Sequence, residues 1–270
     1  MSDLSDLPPL RDVIREHGLN ARKSLGQHFL LDGNLTDRIA RAAGSLENKH
    51  VVEVGPGPGG LTRAILAHKP KSLHVIERDA RCIDAMHQLA AATDIPITII
   101  EADALKFEIS ELPDTPITLI SNLPYNVGTP LLIKWLSSLT HIERMVLMFQ
   151  KEVADRIVAP PRTPGFGRLA VITQWLCDTR PLFTVDRRAF TPPPKVESSV
   201  IEVLPRQTPL AEADMSKLEK VTQAAFGQRR KMLRSSLKQI GLSPADAGIE
   251  ETKRAEELTI EEFCALARML

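Results

Sequence analysis

The sequence contains 270 residues, of which 43% are hydrophobic and 25% are charged, proportions that are ordinary for a soluble globular protein. The 34 Lys and Arg residues balance 34 Asp and Glu residues, so the formal net charge is zero, which argues against tight nonspecific binding to nucleic acid but is compatible with a local basic surface. No run of sequence approaches the roughly 18 apolar residues that a membrane-spanning helix needs.

The N-terminus and the cysteines indicate the cellular compartment. The N-terminal segment is acidic and polar, without the basic start and the apolar centre of a secretory signal peptide. Cys82, Cys177 and Cys264 lie far apart and do not have the spacing of metal ligands. We therefore expect a cytoplasmic protein with no metal site and no membrane segment, and a monomer.

After a largely helical pattern over the first 45 residues, short apolar runs alternate with stretches of helix length. The runs predicted as strands are 50–54, 72–77, 97–101, 117–121, 145–149, 181–185 and 200–204. The stretches predicted as helices between them are 61–67, 79–91, 130–138, 151–158 and 168–177. Alternating strands and helices indicate an α/β fold, with a Rossmann-like parallel sheet of seven strands covered by helices. A Pro-rich loop joins the last two runs, which favours an antiparallel pairing at the end of the sheet.

The composition changes after Pro205, where the strand pattern ends. Residues 211–230 or beyond, 231–239 and 259–270 are predicted as helices. Thr259, followed three residues later by Glu262, has the spacing of a capping box. We therefore predict two domains, with a catalytic domain over 1–205 and a helical domain over 206–270.

A glycine-rich turn follows the first predicted strand of the sheet, in the sequence G-P-G-P-G-G from Gly55 to Gly60. Glycines such as Gly55 and Gly57 let a backbone approach a ligand closely. Glu77 ends the next strand, where it can accept hydrogen bonds from both ribose hydroxyls of an adenosine-containing cofactor, and Asp103 follows the third strand, where it can accept one from an adenine amino group. Three such features at the carboxyl ends of consecutive strands predict a cofactor site, which fits either NAD or S-adenosylmethionine.

Asn122-Leu123-Pro124-Tyr125 follows the fourth predicted strand and favours methyl transfer to adenine. The lone pair of an exocyclic amine is conjugated with the ring, so a methyltransferase must aim hydrogen-bond acceptors at the two amino hydrogens. The side-chain oxygen of Asn122 and a backbone carbonyl of the rigid Leu123-Pro124 turn can supply both, because proline restricts the residue before it to extended geometry. Tyr125 can hold the base by stacking.

A dense basic segment lies near the C-terminus, from Phe226 to Lys238. Four of its cations, Arg229, Arg230, Lys231 and Arg234, fall within six residues. Charge runs are often only solvated helix faces, but this density favours contact with RNA phosphates.

Six segments, in order, resemble the ribosomal RNA adenine N6,N6-dimethyltransferase family, and within it the bacterial small-subunit branch. They are 23–30, 53–62, 122–126, 149–154, 190–198 and 226–237. The resemblance runs from about residue 20 into the C-terminal helices, and its most specific parts are the N-L-P-Y loop and the F-T-P-P-P-K-V-x-S segment. It implies the class I S-adenosylmethionine-dependent methyltransferase fold with a small C-terminal helical domain.

The resemblance implies roles for both ligands. Gly55, Glu77 and Asp103 would contact S-adenosylmethionine as derived above, and Asn122 would contact both the cofactor and the target amine. The N-terminal segment, 1–45, would close over the cofactor through its G-Q-x-F-L motif, which assigns His28 and Leu30 to cofactor binding.

Two further points concern the target base and a departure from the family. Tyr125 and Phe190 would sandwich the target adenine, whereas Phe183, on a predicted strand, is interpreted as a core residue. His28 stands where the family more often has Asn, and an imidazole cannot replace both hydrogen bonds of an amide at once.

The implied substrate is a pair of adjacent adenosines in a hairpin loop near the 3′ end of small-subunit ribosomal RNA, with the small ribosomal subunit as partner. Three alternatives remain open. A methyltransferase of the same fold could act on large-subunit ribosomal RNA, an assembly factor could bind immature subunits without needing catalysis, and a dehydrogenase would bind NAD instead of S-adenosylmethionine. A DNA adenine methyltransferase is disfavoured because such enzymes usually carry a Pro-Pro pair where this chain has Leu123-Pro124.

Overall fold

The computed structural model describes residues 7–19 and 27–270, so positions 23–26 of the first motif lie outside the described residues. The strands are β1 (Phe29–Leu30), β2 (His50–Val54), β3 (Ser72–Glu77), β4 (Ile97–Glu101), β5 (Ile117–Asn122), β6 (Ile142–Gln150), β7 (Cys177–Val185), β8 (Phe190–Thr191) and β9 (Ser198–Pro205). The α-helices are α1 (Leu10–Glu16), α2 (Gly33–Ala42), α3 (Gly60–Ala67), α4 (Ala80–Ala91), α5 (Gly128–Trp135), α6 (Lys151–Val158), α7 (Arg168–Leu176), α8 (Met215–Gly227), α9 (Leu233–Ser236) and α10 (Ile260–Arg268).

Seven strands form one sheet in the order β4-β3-β2-β5-β6-β9-β7, and β1 and β8 pair as a separate two-stranded ribbon. The pairs from β4 through β6 are parallel, and β9 runs antiparallel to β6. This is the predicted α/β fold with a seven-stranded Rossmann-like sheet. Central strands such as β3 are buried throughout, as expected of a parallel sheet covered on both faces.

Two strands begin three or four residues before the apolar runs that were predicted for them. β6 begins at Ile142, and its early residues Glu143 and Arg144 are held by ion pairs with Lys49 and Glu202 respectively. β7 begins at Cys177, and its first four residues include the exposed Asp178 and Arg180. Charged or alternating residues do not form an apolar run, so hydrophobicity alone marked the starts of these strands too late.

The chain divides into two compact units. The first runs up to Ala154 and includes Pro181–Leu204, and the second contains Asp155–Arg180 and Pro205–Leu270. The second unit resumes at Pro205, beside the predicted boundary at 205/206, and it also contains residues 155–180, which the sequence analysis put in the catalytic domain.

Packing within the second unit explains why residues 155–180 belong to it. Phe166, just before α7, has its ring 6.1 Å from that of Phe226 and 6.5 Å from that of Phe263. Trp175 of α7 donates from Nε1 to the carbonyl of Ala211 at 2.7 Å. An aromatic cluster and a buried indole hydrogen bond therefore join α7 to the C-terminal helices.

The C-terminal helices are shorter than predicted. The helix predicted over 211–230 or beyond ends at Gly227, and the one predicted over 231–239 is α-helical only in α9, with a 3₁₀ helix at Lys238–Ile240. The N–H groups of Leu233 and Arg234 donate to the carbonyls of Lys253 and Glu251, which holds the start of α9 against that segment. The capping box is confirmed: the Glu262 N–H donates to Thr259 Oγ1 at 3.2 Å, and the Thr259 N–H donates to Glu262 Oε2 at 2.8 Å.

Candidate active site

The candidate site lies in the first unit, where the carboxyl ends of β2, β3 and β5 meet. A cleft of about 730 Å³, part of it open to solvent, is lined by the glycine turn, by Glu77 and by the loop that follows β5. Its remaining wall includes His28 and Leu30. Ligands of open parallel sheets bind at this edge, and the structure brings most of the predicted residues together there.

The glycine turn has the backbone geometry that the sequence suggested. Gly55 and Gly57 both have positive φ, +71° and +56°, which residues with a Cβ rarely adopt. A Cβ at Gly57 would also lie 3.2 Å from the Phe29 ring. The Gly57 N–H donates to Glu77 Oε2 at 3.3 Å, so the turn and the acid form one unit.

The Glu77 carboxylate is buried and largely satisfied by backbone donors. Its Oε1 accepts the N–H groups of Arg78 and Asp79 at 2.8 and 2.9 Å, while Oε2 accepts only the longer bond from Gly57. Burial raises the pKa of Glu77, and these backbone hydrogen bonds oppose that effect. Oε2 therefore retains acceptor capacity for hydroxyl groups of a ligand.

Asp103 lines a second cleft of about 470 Å³, which shares Gly55 and Glu77 with the first. One oxygen of Asp103 accepts the Leu105 N–H at 3.0 Å, and the other lies 3.6 Å from the Arg78 guanidinium. Glu77 thus lines both clefts, as expected if one ligand extends through both with its ribose at Glu77 and its base near Asp103.

The Asn122-Leu123-Pro124-Tyr125 loop is held rigidly at the end of β5. Leu123 is buried at 2% exposure, and the Pro124 carbonyl accepts the N–H groups of Val127 and Gly128 at 3.1 Å. Asn122 donates from Nδ2 to the His28 carbonyl at 3.3 Å. Since that bond uses the amide nitrogen, Oδ1 of Asn122 is directed elsewhere and can accept a hydrogen bond from a ligand.

Tyr125 is anchored through its hydroxyl. Its Oη lies 2.6 Å from Oγ of Ser198, a fully buried residue at the start of β9. Burial raises the pKa of Tyr125, so the phenol is neutral near pH 7. Ser198 is a site residue that the sequence analysis quoted only as part of a motif, and no local pattern indicates that its partner lies 73 positions away.

Phe190 differs from its predicted role in this structure. It is 2% exposed, lies in β8 and is not among the residues that line either cleft. The His28 ring contacts it edge to face, with centroids 6.4 Å apart, and the backbone of β8 pairs with β1. A motif cannot show which neighbour covers an aromatic ring.

Leu30 and His28 are both near the cleft, as the motif implied, but in different ways. Leu30 is buried in β1 at 4% exposure. His28 points its ring toward Tyr125 and bonds through Nδ1 to the Pro192 carbonyl at 2.8 Å. That hydrogen bond occupies one ring nitrogen, which leaves only the other for a ligand.

Glu53 is a second site residue that the sequence analysis did not single out. It precedes the glycine turn, lines the larger cleft and is 1% exposed. Thr62 donates from Oγ1 to Glu53 Oε2 at 2.7 Å. Burial, with Glu77 nearby, raises the pKa of Glu53 to about 8, so its carboxyl is protonated at neutral pH.

The basic segment lies in the second unit, where Arg229, Arg230 and Lys231 fall between α8 and α9 and Arg234 lies on α9. Arg229 is ion-paired to Glu256 at 2.8 Å and donates to the Pro164 carbonyl. Arg230, Lys231 and Arg234 are exposed. Among the described residues, these three form no ion pair with an acidic side chain, which leaves their charge available to a partner.

Other parts of the described chain add no further cofactor chemistry. Within residues 7–19 and 27–270, no three His, Cys, Asp or Glu side chains form a group that could hold a metal ion. All three cysteines are free and buried. In the same ranges, none of the helices has both the length and the apolar character needed to cross a bilayer. Phe183 is partly buried against the core, with the Arg38 guanidinium 3.9 Å from its ring centroid.

Comparisons with known proteins identify a family to which the chain is similar. A family model described as ribosomal RNA adenine dimethylase matches residues 18–270. The chain is 57% identical over 270 residues to the ribosomal RNA small subunit methyltransferase A of Paramagnetospirillum magneticum, which covers 99% of this chain and 96% of that protein. It is also 57% identical over 265 residues to the protein of that name from Rhodospirillum rubrum, covering 97% and 92% respectively.

Two solved structures are also similar. A dimethyladenosine transferase from Plasmodium falciparum superposes with a TM-score of 0.76 at 24% identity, over 88% of this chain and 96% of that one. The 23S rRNA methyltransferase ErmE superposes with a TM-score of 0.69 at 26% identity, over 89% and 98%. The methyltransferase fold predicted from the sequence is thereby confirmed.

Proposed function

The chain belongs to the ribosomal RNA adenine dimethylase family, and on that premise we propose that it uses S-adenosylmethionine to dimethylate adenine N6 in small-subunit ribosomal RNA. The expected target is a pair of adjacent adenosines in a hairpin loop near the 3′ end of that RNA. The small-subunit assignment rests on the names of relatives that are 57% identical over almost the whole chain. The observation that carries the chemistry is the Asn122 amide, whose nitrogen is held by the His28 carbonyl so that Oδ1 is directed away from it.

The donor set of the site fits S-adenosylmethionine. Glu77 Oε2 can accept ribose hydroxyls, and the glycine turn provides a close backbone approach at Gly55 and Gly57. A cofactor with positive charge also fits a cleft that is lined by the buried acid Glu77. Asp103 lies at the second cleft, where its carboxylate can accept an adenine amino group.

When bound, S-adenosylmethionine supplies an electrophilic methyl group on its sulfonium. The residues of the chain act on the amine that receives it. Asn122 Oδ1 and a backbone carbonyl of the Leu123-Pro124 turn accept the two N6 hydrogens, which draws the nitrogen lone pair out of conjugation with the ring. After transfer the nitrogen has an acidic proton that leaves to solvent, so no side chain with a high pKa is needed.

The target base is held by stacking on Tyr125. The bond between Tyr125 Oη and Ser198 Oγ limits rotation of the ring, which reduces the entropy lost when a base stacks on it. Phe190 completes an aromatic sandwich only if the ring that contacts it, that of His28, moves away. Loop adenosines suit such a site because turning an unpaired base outward costs less than breaking a base pair.

The second unit is the proposed RNA-contacting domain. Arg230, Lys231 and Arg234 present exposed charge, and a localised basic surface on a chain of zero net charge favours specific over nonspecific binding. Arg229, although part of the same run, is already paired with Glu256, so its contribution is to hold the segment in place. We expect the enzyme to work as a cytoplasmic monomer on the small subunit.

A second candidate function has one observation in its favour. The 26% identity to the 23S rRNA methyltransferase ErmE extends over 89% of this chain, which supports large-subunit RNA as the alternative substrate. The much higher identity to the small-subunit proteins favours the small subunit. A role in assembly by binding alone is compatible with the basic surface but does not explain the Asn122 loop.

The deciding experiment is methyl transfer from radiolabelled S-adenosylmethionine to ribosomal subunits that lack N6,N6-dimethyladenosine. Small and large subunits are assayed separately, with the Asn122→Ala variant as the inactive control. We expect label in the small subunit, recovered as dimethyladenosine from the 3′ part of its RNA. Label only in the large subunit would support the second candidate, and cofactor binding without label in either would favour an assembly factor.

A further inference from the structure

The His28 imidazole lies against the two aromatic rings of the proposed base site. Its centroid is 5.4 Å from that of Tyr125 at an interplanar angle of 32°, and 6.4 Å from that of Phe190 at 81°. The first contact resembles a tilted stack and the second an edge-to-face pair, the two arrangements that aromatic rings favour. A planar nitrogen heterocycle of the chain itself therefore contacts both rings.

The ring is held there by a hydrogen bond that its own rotation would break. A carbonyl oxygen can only accept, so Nδ1 of His28 carries the hydrogen in its 2.8 Å bond to Pro192. The other anchor of this residue is its backbone carbonyl, which accepts Nδ2 of Asn122. The imidazole can therefore swing away by side-chain rotation while the backbone contact that orients Asn122 persists.

His28 also occupies the side of Tyr125 that faces the chemistry. His28, Asn122 and Tyr125 line the same cleft, so the face of Tyr125 that a base would use next to Asn122 is the face near the imidazole. Phe190 is buried at 2% exposure while the imidazole lies against it. Removing the ring would take away one of the groups that cover each of these two aromatic rings.

We propose that His28 is an aromatic placeholder, which occupies the position of the target adenine until the base displaces it. The proposal rests on the function proposed above. An entering ring must replace the stack on Tyr125, the edge contact with Phe190 and the bond to Pro192. A purine offers more stacking surface than an imidazole, whereas a pyrimidine offers little more, so His28 selects for purines at this position.

The experiment uses Tyr125, the single tyrosine of the chain, as its reporter. Full-length protein with 13C-labelled tyrosine rings gives one set of tyrosine ring signals. The cofactor site is filled with S-adenosylhomocysteine, so that it cannot take up added adenine, and adenosine 5′-monophosphate is then titrated as the probe for the base. Wild type is compared with His28→Ala and with His28→Asn, which keeps a donor for Pro192 but has no ring. His87→Ala, at an exposed histidine of α4, is the matched control.

We expect His28→Ala to shift the free Tyr125 signals and to tighten the apparent affinity for adenosine 5′-monophosphate by about tenfold, as the loss of one ring contact and one hydrogen bond implies. The affinity of His28→Asn should lie between those of wild type and His28→Ala, and the affinity of His87→Ala should match that of wild type. The gain in affinity from wild type to His28→Ala should be larger for cytidine 5′-monophosphate than for adenosine 5′-monophosphate, because wild type excludes the pyrimidine more strongly. Small-subunit methylation should show a lower KM in His28→Ala than in wild type.

Several results would overturn the placeholder role. One is equal nucleotide affinity in wild type and both His28 variants, and another is a Tyr125 signal that no nucleotide moves in any of them. A persistent nuclear Overhauser effect between the His28 and Tyr125 rings with nucleotide bound would show that the imidazole stays in place. Absence of methyl transfer by wild type to either subunit would instead remove the proposed function, and the nucleotide titration would still report whether adenine displaces the imidazole.

Discussion

The side-chain amide of Asn122 donates to the backbone carbonyl of His28, 94 positions away, at 3.3 Å. This bond joins the loop after β5 to the segment just before β1 and fixes which end of the amide faces the cleft. An Asn amide can rotate to present either its oxygen or its nitrogen, and only the oxygen can accept an amino hydrogen. The His28 backbone therefore orients the side chain that we assign to the reaction.

Replacing Asn122 by Ala should abolish most of the turnover while leaving cofactor binding nearly intact. The change removes one of two acceptors aimed at the amine, and the loss of one preorganised hydrogen bond of this type typically costs about 10²- to 10³-fold in kcat. Affinity for S-adenosylmethionine, measured by calorimetry, should stay within about tenfold, a loss equivalent to one hydrogen bond. Asn34→Ala, at an exposed position of α2, serves as the control. Retention of turnover in Asn122→Ala would remove this residue from the reaction.

Tyr125 and Ser198 should act as a coupled pair. Tyr125→Phe keeps the stacking ring but leaves the buried Ser198 hydroxyl without its partner, which we expect to lower the free energy of unfolding by about 1–3 kcal/mol. Tyr125→Ala removes the stack and should lower kcat/KM by about 5- to 150-fold, the range for one base on an aromatic ring.

A double-mutant cycle checks the Tyr125–Ser198 pair. Urea unfolding of Tyr125→Phe, Ser198→Ala and the double variant should give a coupling energy of about 1 kcal/mol, because the second change removes the group that the first left unpaired. Additive losses would mean that the 2.6 Å contact contributes no stability.

Glu53 should make the protein less stable as the pH rises toward 8. Burial raises its pKa in the folded state to about 8 from an ordinary value of 4.5, so between these values the folded chain holds a proton that the unfolded chain has lost. The free energy of unfolding therefore falls with rising pH across that window, by up to about 1.4 kcal/mol per pH unit. Below it both states are protonated, and above it neither is.

The measurement compares urea unfolding of wild type and Glu53→Gln at pH 6, 7 and 8. The amide cannot ionise, so the variant should lose this part of the pH dependence, and the difference between the two proteins should change steadily across the series. Glu111→Gln, at an exposed acid, is the control and should follow wild type. Parallel pH profiles for wild type and Glu53→Gln would contradict a raised pKa at this position.

Some cations of the basic segment should affect binding to the small subunit, whereas Arg229 should affect stability. Arg230→Glu and Lys231→Glu should weaken binding to the small subunit and reduce the dependence of log K on log salt by about 0.7–0.9 per lost phosphate contact. Arg229→Ala should act on thermal stability instead, since Arg229 is ion-paired with Glu256. Lys220→Glu makes the same charge change at an exposed position of α8 and should leave binding unchanged. Equal losses of subunit binding in Lys220→Glu and Arg230→Glu would mean that net charge, and not the basic segment, determines binding.

The fold and the meeting of the proposed cofactor-binding residues at one sheet edge were predictable because local sequence determines them. Buried parallel strands appear as apolar runs, so the bounds of β2, β3 and β4 were predicted to the residue. Parallel strands end at one edge of a sheet, so the residues that follow them, including Gly55, Glu77 and Asn122, meet there without further information.

The contacts between distant segments could not be predicted in this way. The burial of Phe190 depends on β1 and on His28, 162 positions away, and the anchor of Tyr125 depends on a serine at the start of β9. The start of α9 is held by backbone bonds from Leu233 and Arg234 to Lys253 and Glu251. In each case the deciding partner is remote in sequence, and no periodicity carries that information.

The ribbon of β1 and β8 has a consequence for how the enzyme is made. Leu30 pairs with Phe190, so one strand of the ribbon is synthesised 160 residues before the other. At about 5–20 residues per second, ribosomes need roughly 8–32 seconds to cover that interval. The residues that line the cleft up to Tyr125 will have been made by then, but His28 cannot yet bond to Pro192. Phe190 and Ser198, the anchor of Tyr125, are likewise made only at the end of this interval, so the proposed base site is completed late in synthesis.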